Sequence, residues 1–91
     1  MNLSQSSIAQ EDSVSIVAIM KFKPGSLEEA KPSLNKLIET TRKEEGNIRY
    51  DWFQDSKESD TVIVLEQFSG FPALITHSKS AHMKEAMGKF K

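Results

Sequence analysis

Apolar and polar residues alternate along this chain in two different rhythms, and the changes of rhythm mark its elements. Val14–Phe22 (VSIVAIMKF) has a period of two. Val14, Ile16, Ala18, Met20 and Phe22 share one face; Ser15, Val17, Ile19 and Lys21 share the other. The centre is apolar on both sides, unlike a strand with one face in water. Lys23-Pro24-Gly25 breaks it. From Ser26 the period becomes helical, with Leu27, Ala30, Leu34, Leu37, Ile38 and Thr41 on one stripe. Ser26 and Glu29 predict a capping box, Pro32 a bend in the second turn, and Gly46 the end of the helix.

Asn47–Gln54 and Thr61–Phe68 return to the strand rhythm, joined by the polar turn Asp55–Asp60 as a hairpin. Ile48, Tyr50 and Trp52 face one way in the first of these strands; Val62, Val64, Glu66 and Phe68 share a face in the second, with Ile63 and Leu65 opposite. Ser69 is the expected cap of a short helix with Pro72 in its first turn and Phe71, Leu74, Ile75 and Ser78 inward. A third helix starts at about Ala81, where Met83, Ala86, Met87 and Phe90 repeat at helical spacing. The order β-α-β-β-α predicts an α+β, ferredoxin-like split βαβ antiparallel sheet with its helices on one face. The first and third strands are apolar on both faces, so a second sheet is the expected cover. That makes a homodimer joined through sheet faces.

Composition narrows the class. A chain of 91 residues is one small domain, here 13–91, preceded by a flexible arm over 1–12 that holds only Leu3 and Ile8 as sizeable apolar anchors. There is no cysteine, which excludes disulfides, thiolate metal sites and a cysteine nucleophile. Lys+Arg 12 against Asp+Glu 13 leaves a net charge of -1, which argues against an electrostatic grip on nucleic acid. No apolar run approaches the roughly 20 residues of a membrane span. Met1–Asp12 has neither the basic start nor the apolar middle of a secretory signal, so a cytoplasmic protein is expected.

Four motifs then stand out in order: Phe22-x-Pro24-Gly25, Thr41-Arg42-x-Glu44-x-Gly46-x-x-x-Tyr50, Leu65-Glu66-x-Phe68 and His77-x-x-x-x-His82-Met83. With them, Val14 to about Phe90 resembles the antibiotic biosynthesis monooxygenase (ABM) domain family of the dimeric α/β-barrel superfamily. The resemblance implies a ferredoxin-like dimer with facing sheets and a pocket between sheet and helices. It also implies oxidation of quinols or phenols by dioxygen without metal, flavin or other cofactor. Two departures go with it. Phe68 stands where the family usually has tryptophan, and the family's fourth strand, which pairs with the first, has no counterpart before Lys91. Val14–Phe22 would then be an apolar edge, and a truncated sequence is the expectation; the alternative is an edge covered by the arm or a partner subunit.

Within that frame His77 is the candidate catalytic base. Imidazole removes a phenolic proton near neutral pH, and only the resulting phenolate passes an electron readily to dioxygen. Tyr50, Trp52 and Phe68 are candidate apolar walls for a flat substrate, with Glu66, His82 and Met83 as further substrate contacts. The alternative for the aromatics is core or interface, and for Met83 plain core filling. Glu66, in an apolar strand, needs a partner, and Arg42 or Arg49 is the expected one. His77 and His82 are five apart across a helix break, with Glu85 a poor third ligand, so no metal site is expected. The leading function is a cofactor-independent monooxygenase. A non-catalytic ligand-binding or stress-related dimer is the alternative. Haem degradation is disfavoured, because the first strand lacks Asn and Phe68 replaces Trp.

Overall fold

The computed structural model describes residues 13–90; the expected arm lies outside the described residues. Strand β1 (Val14–Lys21) leads to helix α1 (Leu27–Arg42), then to strands β2 (Asn47–Gln54) and β3 (Thr61–Phe68) and helices α2 (Phe71–Ser78) and α3 (Ala81–Lys89). The strands form one antiparallel sheet in the order β1-β3-β2. This is the expected split βαβ. The hairpin puts β3 beside β2, and β1, entering before the helix, takes the far side of β3. Among the described residues, β1 and β2 are the sheet's two edges.

The pleat sorts the side chains as the alternation requires. Rows such as Ile16–Glu66–Tyr50 and Ala18–Val64–Trp52 line the face under the helices. Leu27, Leu34, Leu37, Ile38 and Thr41 of α1 are buried against that face, and Leu34, Val62 and Phe68 lose all contact with solvent. Each such side chain contributes about 1.5–3 kcal/mol of transfer free energy, so the core lies between α1 and β3. The opposite face stays open, with Val17 65%, Ile19 64% and Phe53 47% exposed.

Local details depart from the sequence reading. Ser26, the residue before the helix, already has helical backbone angles, and its hydroxyl turns back to donate to the Lys23 carbonyl at 2.8 Å, so no capping box forms. The preceding turn uses Gly25 at φ 82, a left-handed position that only glycine takes without cost. Helix α1 runs through Pro32, which lies on its exposed side, and ends at Arg42, short of Gly46. Helix α2 starts from Gly70, not Ser69. A register shift between Asn47 and Arg49 turns Ile48 outward. The inward side of α2 is Ala73, Leu74 and His77, with Phe71 and Ile75 exposed.

Gly46 explains the orientation of α2. A Cβ there would stand 2.3 Å from the Ala73 Cβ and 3.1 Å from the Ser69 hydroxyl. The Gly46 carbonyl also accepts from the Ser69 amide at 2.8 Å. The missing side chain therefore lets α2 close on the start of β2, and that closure turns His77 inward. Gly46→Ala is expected to destabilise the fold by about 1–3 kcal/mol, as overpacking of a rigid contact does. Urea denaturation checks this, and an unchanged midpoint would show that the contact is looser than described.

Candidate functional site

Three elements converge at the end of the sheet where β2 begins. The turn after α1 brings Glu44, the last turn of α2 brings His77, and the first turn of α3 brings His82. Ser80 sets the third of these. Its hydroxyl caps α3 by accepting from the Met83 amide at 3.2 Å, while donating to the His77 carbonyl at 2.7 Å. The helix break between the two histidines thus places both rings on one side.

The Glu44 carboxylate joins them. Its Oε2 lies 2.8 Å from His77 Nδ1 and 2.6 Å from His82 Nε2. A carboxylate oxygen accepts, so both ring nitrogens donate. His77 is 2% exposed. Its ring packs against Phe68 at 5.0 Å and Tyr50 at 5.3 Å between centroids. With Nδ1 committed to Glu44, His77 Nε2 is buried with no hydrogen-bond partner. The nearest carboxylate oxygen to it is Glu66 Oε1, at 4.0 Å.

The local charges follow from this burial. Burial pushes the Glu66 carboxyl above its ordinary value, with His77 pulling it part of the way back. Burial also pushes the Tyr50 hydroxyl up, and the charges of Glu66 and Glu44 add to the effect. The arginines do not reach Glu66, contrary to expectation. Arg42 Nη2 donates to Asp51 Oδ1 at 2.6 Å and Arg49 Nε to Asp51 Oδ2 at 2.7 Å, on the sheet's other face. The hydrogen bonds from Arg49 and then Arg42 hold the Asp51 carboxyl below its ordinary value. Period-two geometry gives the reason: Asp51 and Glu66 point to opposite faces of paired strands.

The candidate residues therefore separate. Tyr50, Glu66, Phe68, His77 and His82 gather around one centre. Trp52 turns to α1, where its Nε1 donates to Asn35 Oδ1 at 2.9 Å. Met83 packs against the edge of the core. His77 is enclosed by rings and lines neither of the two larger cavities. One cavity of about 590 Å³ opens between Phe22, Ala30 and Phe90; another of about 560 Å³ runs between Glu44 and Thr76. Neither is lined by His77, Tyr50 or Phe68. Glu44, which the sequence reading quoted in a motif without a role, is the group that organises the cluster. The carboxylate that stands beside the two histidines is that of Glu44, not Glu85, with ligand-type atoms of all three residues within 4.8 Å of one another.

A split-βαβ sheet with helices on one face and a carboxylate–histidine cluster beneath them defines a small α+β domain of the ferredoxin-like kind. The chain belongs to the antibiotic biosynthesis monooxygenase (ABM) family, whose model matches residues 13–89. It is 34% identical over 74 residues to the Bacillus subtilis protein named "Putative monooxygenase YcnE", spanning 81% of this chain and 78% of that one. The crystal structure of a conserved protein from Methanosarcina mazei Go1 superposes with a TM-score of 0.84 at 28% identity, covering 92% of this chain and 83% of that one. A crystal structure described as an antibiotic biosynthesis monooxygenase gives 0.80 at 25% identity, covering 84% and 80%.

The chain has one tyrosine, so a spectrophotometric titration reads Tyr50 alone. In the folded protein tyrosinate is expected only well above the ordinary value of 10.0. In denaturant it is expected near that value. The folded state holds this proton more tightly. Its contribution to stability is therefore intact below the unfolded value and is lost as pH rises from there through the folded value. Ionisation of the folded chain at the ordinary value would contradict the buried placement.

Proposed function

We propose that this protein is a cofactor-independent monooxygenase that oxidises a small quinol or phenol with dioxygen in the cytoplasm, with His77 as general base. One observation carries the reading: His77 Nδ1 lies 2.8 Å from the Glu44 carboxylate while the buried Nε2 has no hydrogen-bond partner. An imidazole with its proton on Nδ1 accepts a proton at Nε2. The base removes the phenolic proton, and the phenolate passes an electron to dioxygen. The pair collapses to a hydroperoxide, which loses water. A phenol and dioxygen thus give a quinone and water, one oxygen atom going to each product. Tyr50 and Phe68, which flank the His77 ring, are the apolar walls of this reading, and Glu66 the polar contact. Trp52, His82 and Met83 stand at its margin. Because Nε2 is buried, substrate entry requires the rings around it to part.

That enclosure supports a second reading, a non-catalytic ligand-binding dimer in which the same cluster is structural. Oxygen uptake with a panel of hydroquinones separates the two. Uptake is expected from the native chain, with a loss of about 100-fold or more in His77→Ala, the range general-base catalysis supplies. Circular dichroism shows whether the variant is folded. Uptake equal to the native rate would remove His77 as the base. No uptake with any quinol would favour the binding module.

The functional unit of this proposal is a homodimer. Ile19, Ile63 and Phe53 form one row across the open sheet face, with Val17 beside it. Such a continuous apolar face suits a second copy of the same sheet. A dimer is expected by sedimentation at micromolar concentration, shifting toward monomer in Ile19→Asp. A monomeric native chain would sink this part of the reading.

A further inference from the structure

We infer that Glu44, His77 and His82 form a binding site for a divalent first-row transition ion of the zinc class. The three residues come from separate parts of the fold, yet each offers a ligand atom within 4.8 Å of the others, and Glu44 Oε2 already touches His77 Nδ1 and His82 Nε2. Around a tetrahedral ion with bonds of about 2.0–2.1 Å, neighbouring ligand atoms stand roughly 3.3 Å apart. The two hydrogen-bond distances, 2.8 and 2.6 Å, open by roughly 0.5 and 0.7 Å to reach this. Two imidazoles and one carboxylate are a donor set for Zn²⁺, Co²⁺, Ni²⁺ or Cu²⁺ and a poor one for Mg²⁺ or Ca²⁺. A fourth position is left for water.

An independent observation supports the site. His77 Nε2 is buried without a partner and lies 4.0 Å from Glu66 Oε1. When an ion takes Nδ1, the proton of that nitrogen moves to Nε2, where it points toward the Glu66 carboxylate. A ligating histidine whose other N–H is directed at a carboxylate is the usual support of a metal site. His82 exchanges its nitrogens in the opposite sense, Nε2 to the ion and the proton to Nδ1, so neither ring gains or loses charge. Access exists from both sides. Glu44 lines the groove that runs past Pro72 and Thr76, and His82 lines a depression beside Leu37 and Glu85.

Occupancy has a consequence that rests on the function proposed above. A proton on Nε2 leaves His77 unable to act as a base there, so the ion and the base function exclude each other. Zinc would then inhibit oxygen uptake by binding away from the reacting atoms.

The test is calorimetric titration of the full, chelator-treated chain with ZnCl₂ near neutral pH, with Co²⁺ absorption as a second readout. These are the chain's only two histidines and it has no cysteine, which simplifies the assignment. One ion per chain is expected, with a dissociation constant on the order of micromolar. His82→Ala and Glu44→Gln should each weaken it by about 10-fold or more. Both keep the buried His77, and circular dichroism checks their fold. No saturable binding, or binding unchanged in both variants, would overturn the site. Native uptake should fall in step with the zinc saturation that calorimetry reads. Saturable, variant-sensitive binding that leaves uptake untouched would keep the site and remove His77 as the base. Absence of uptake altogether would remove the proposed reaction and leave the calorimetric test standing.

Discussion

One carboxylate oxygen, Oε2 of Glu44, receives hydrogen bonds from two imidazoles, and the helical layer depends on it. Helices α2 and α3 have 8 and 9 residues. Helices that short do not persist alone in water, where roughly 12–15 residues are needed even for favourable sequences. They hold because the ring of His77 is packed under them and the ring of His82 beside them, both tied to the turn after α1. Without Glu44, two polar nitrogens would lose their acceptor, one of them in the core, at a cost of about 1–3 kcal/mol for each fully buried group. The proposed chemistry rests on the same bond, which occupies Nδ1 of His77 and leaves Nε2 as the unpartnered atom.

The sheet was legible from sequence because its signal is local. Alternation over Val14–Lys21 and Thr61–Phe68 gave the strands and their faces, and the doubly apolar strands gave the open face. Helix ends were less legible. Ser26, Ser69 and Gly46 are residue types that cap, but each serves a different contact here, and only tertiary packing selects among them. The α2 stripe was misread because Phe71 and Ile75 are apolar yet face outward, while Gly46 and His77 fix the rotation of the helix. The bulge at Ile48 left no local trace.

The site was half legible. His77, Tyr50, Phe68 and Glu66 could be grouped from strand faces and motifs. Glu44 could not be assigned, because it is 33 residues from His77 and 38 from His82. Spacing arguments reach one helical turn, which explains why Glu85 and not Glu44 was placed beside the histidines. Arginine pairing for Glu66 failed for a related reason. Charge complementarity alone does not carry the pleat, which sends Asp51 and Glu66 to opposite faces. Arg42 now links the layers, with Nε donating to the Tyr50 carbonyl at 3.0 Å and Nη2 to Asp51.

The central claim is that Glu44 fixes the proton of His77 on Nδ1. Nitrogen-15 NMR of the two imidazoles in the metal-free chain reads this directly, and two histidines make the assignment simple. A protonated Nδ1 and an unprotonated Nε2 are expected for His77, with this pattern lost in Glu44→Gln. A neutral His77 carrying its proton on Nε2 in the native chain would contradict it.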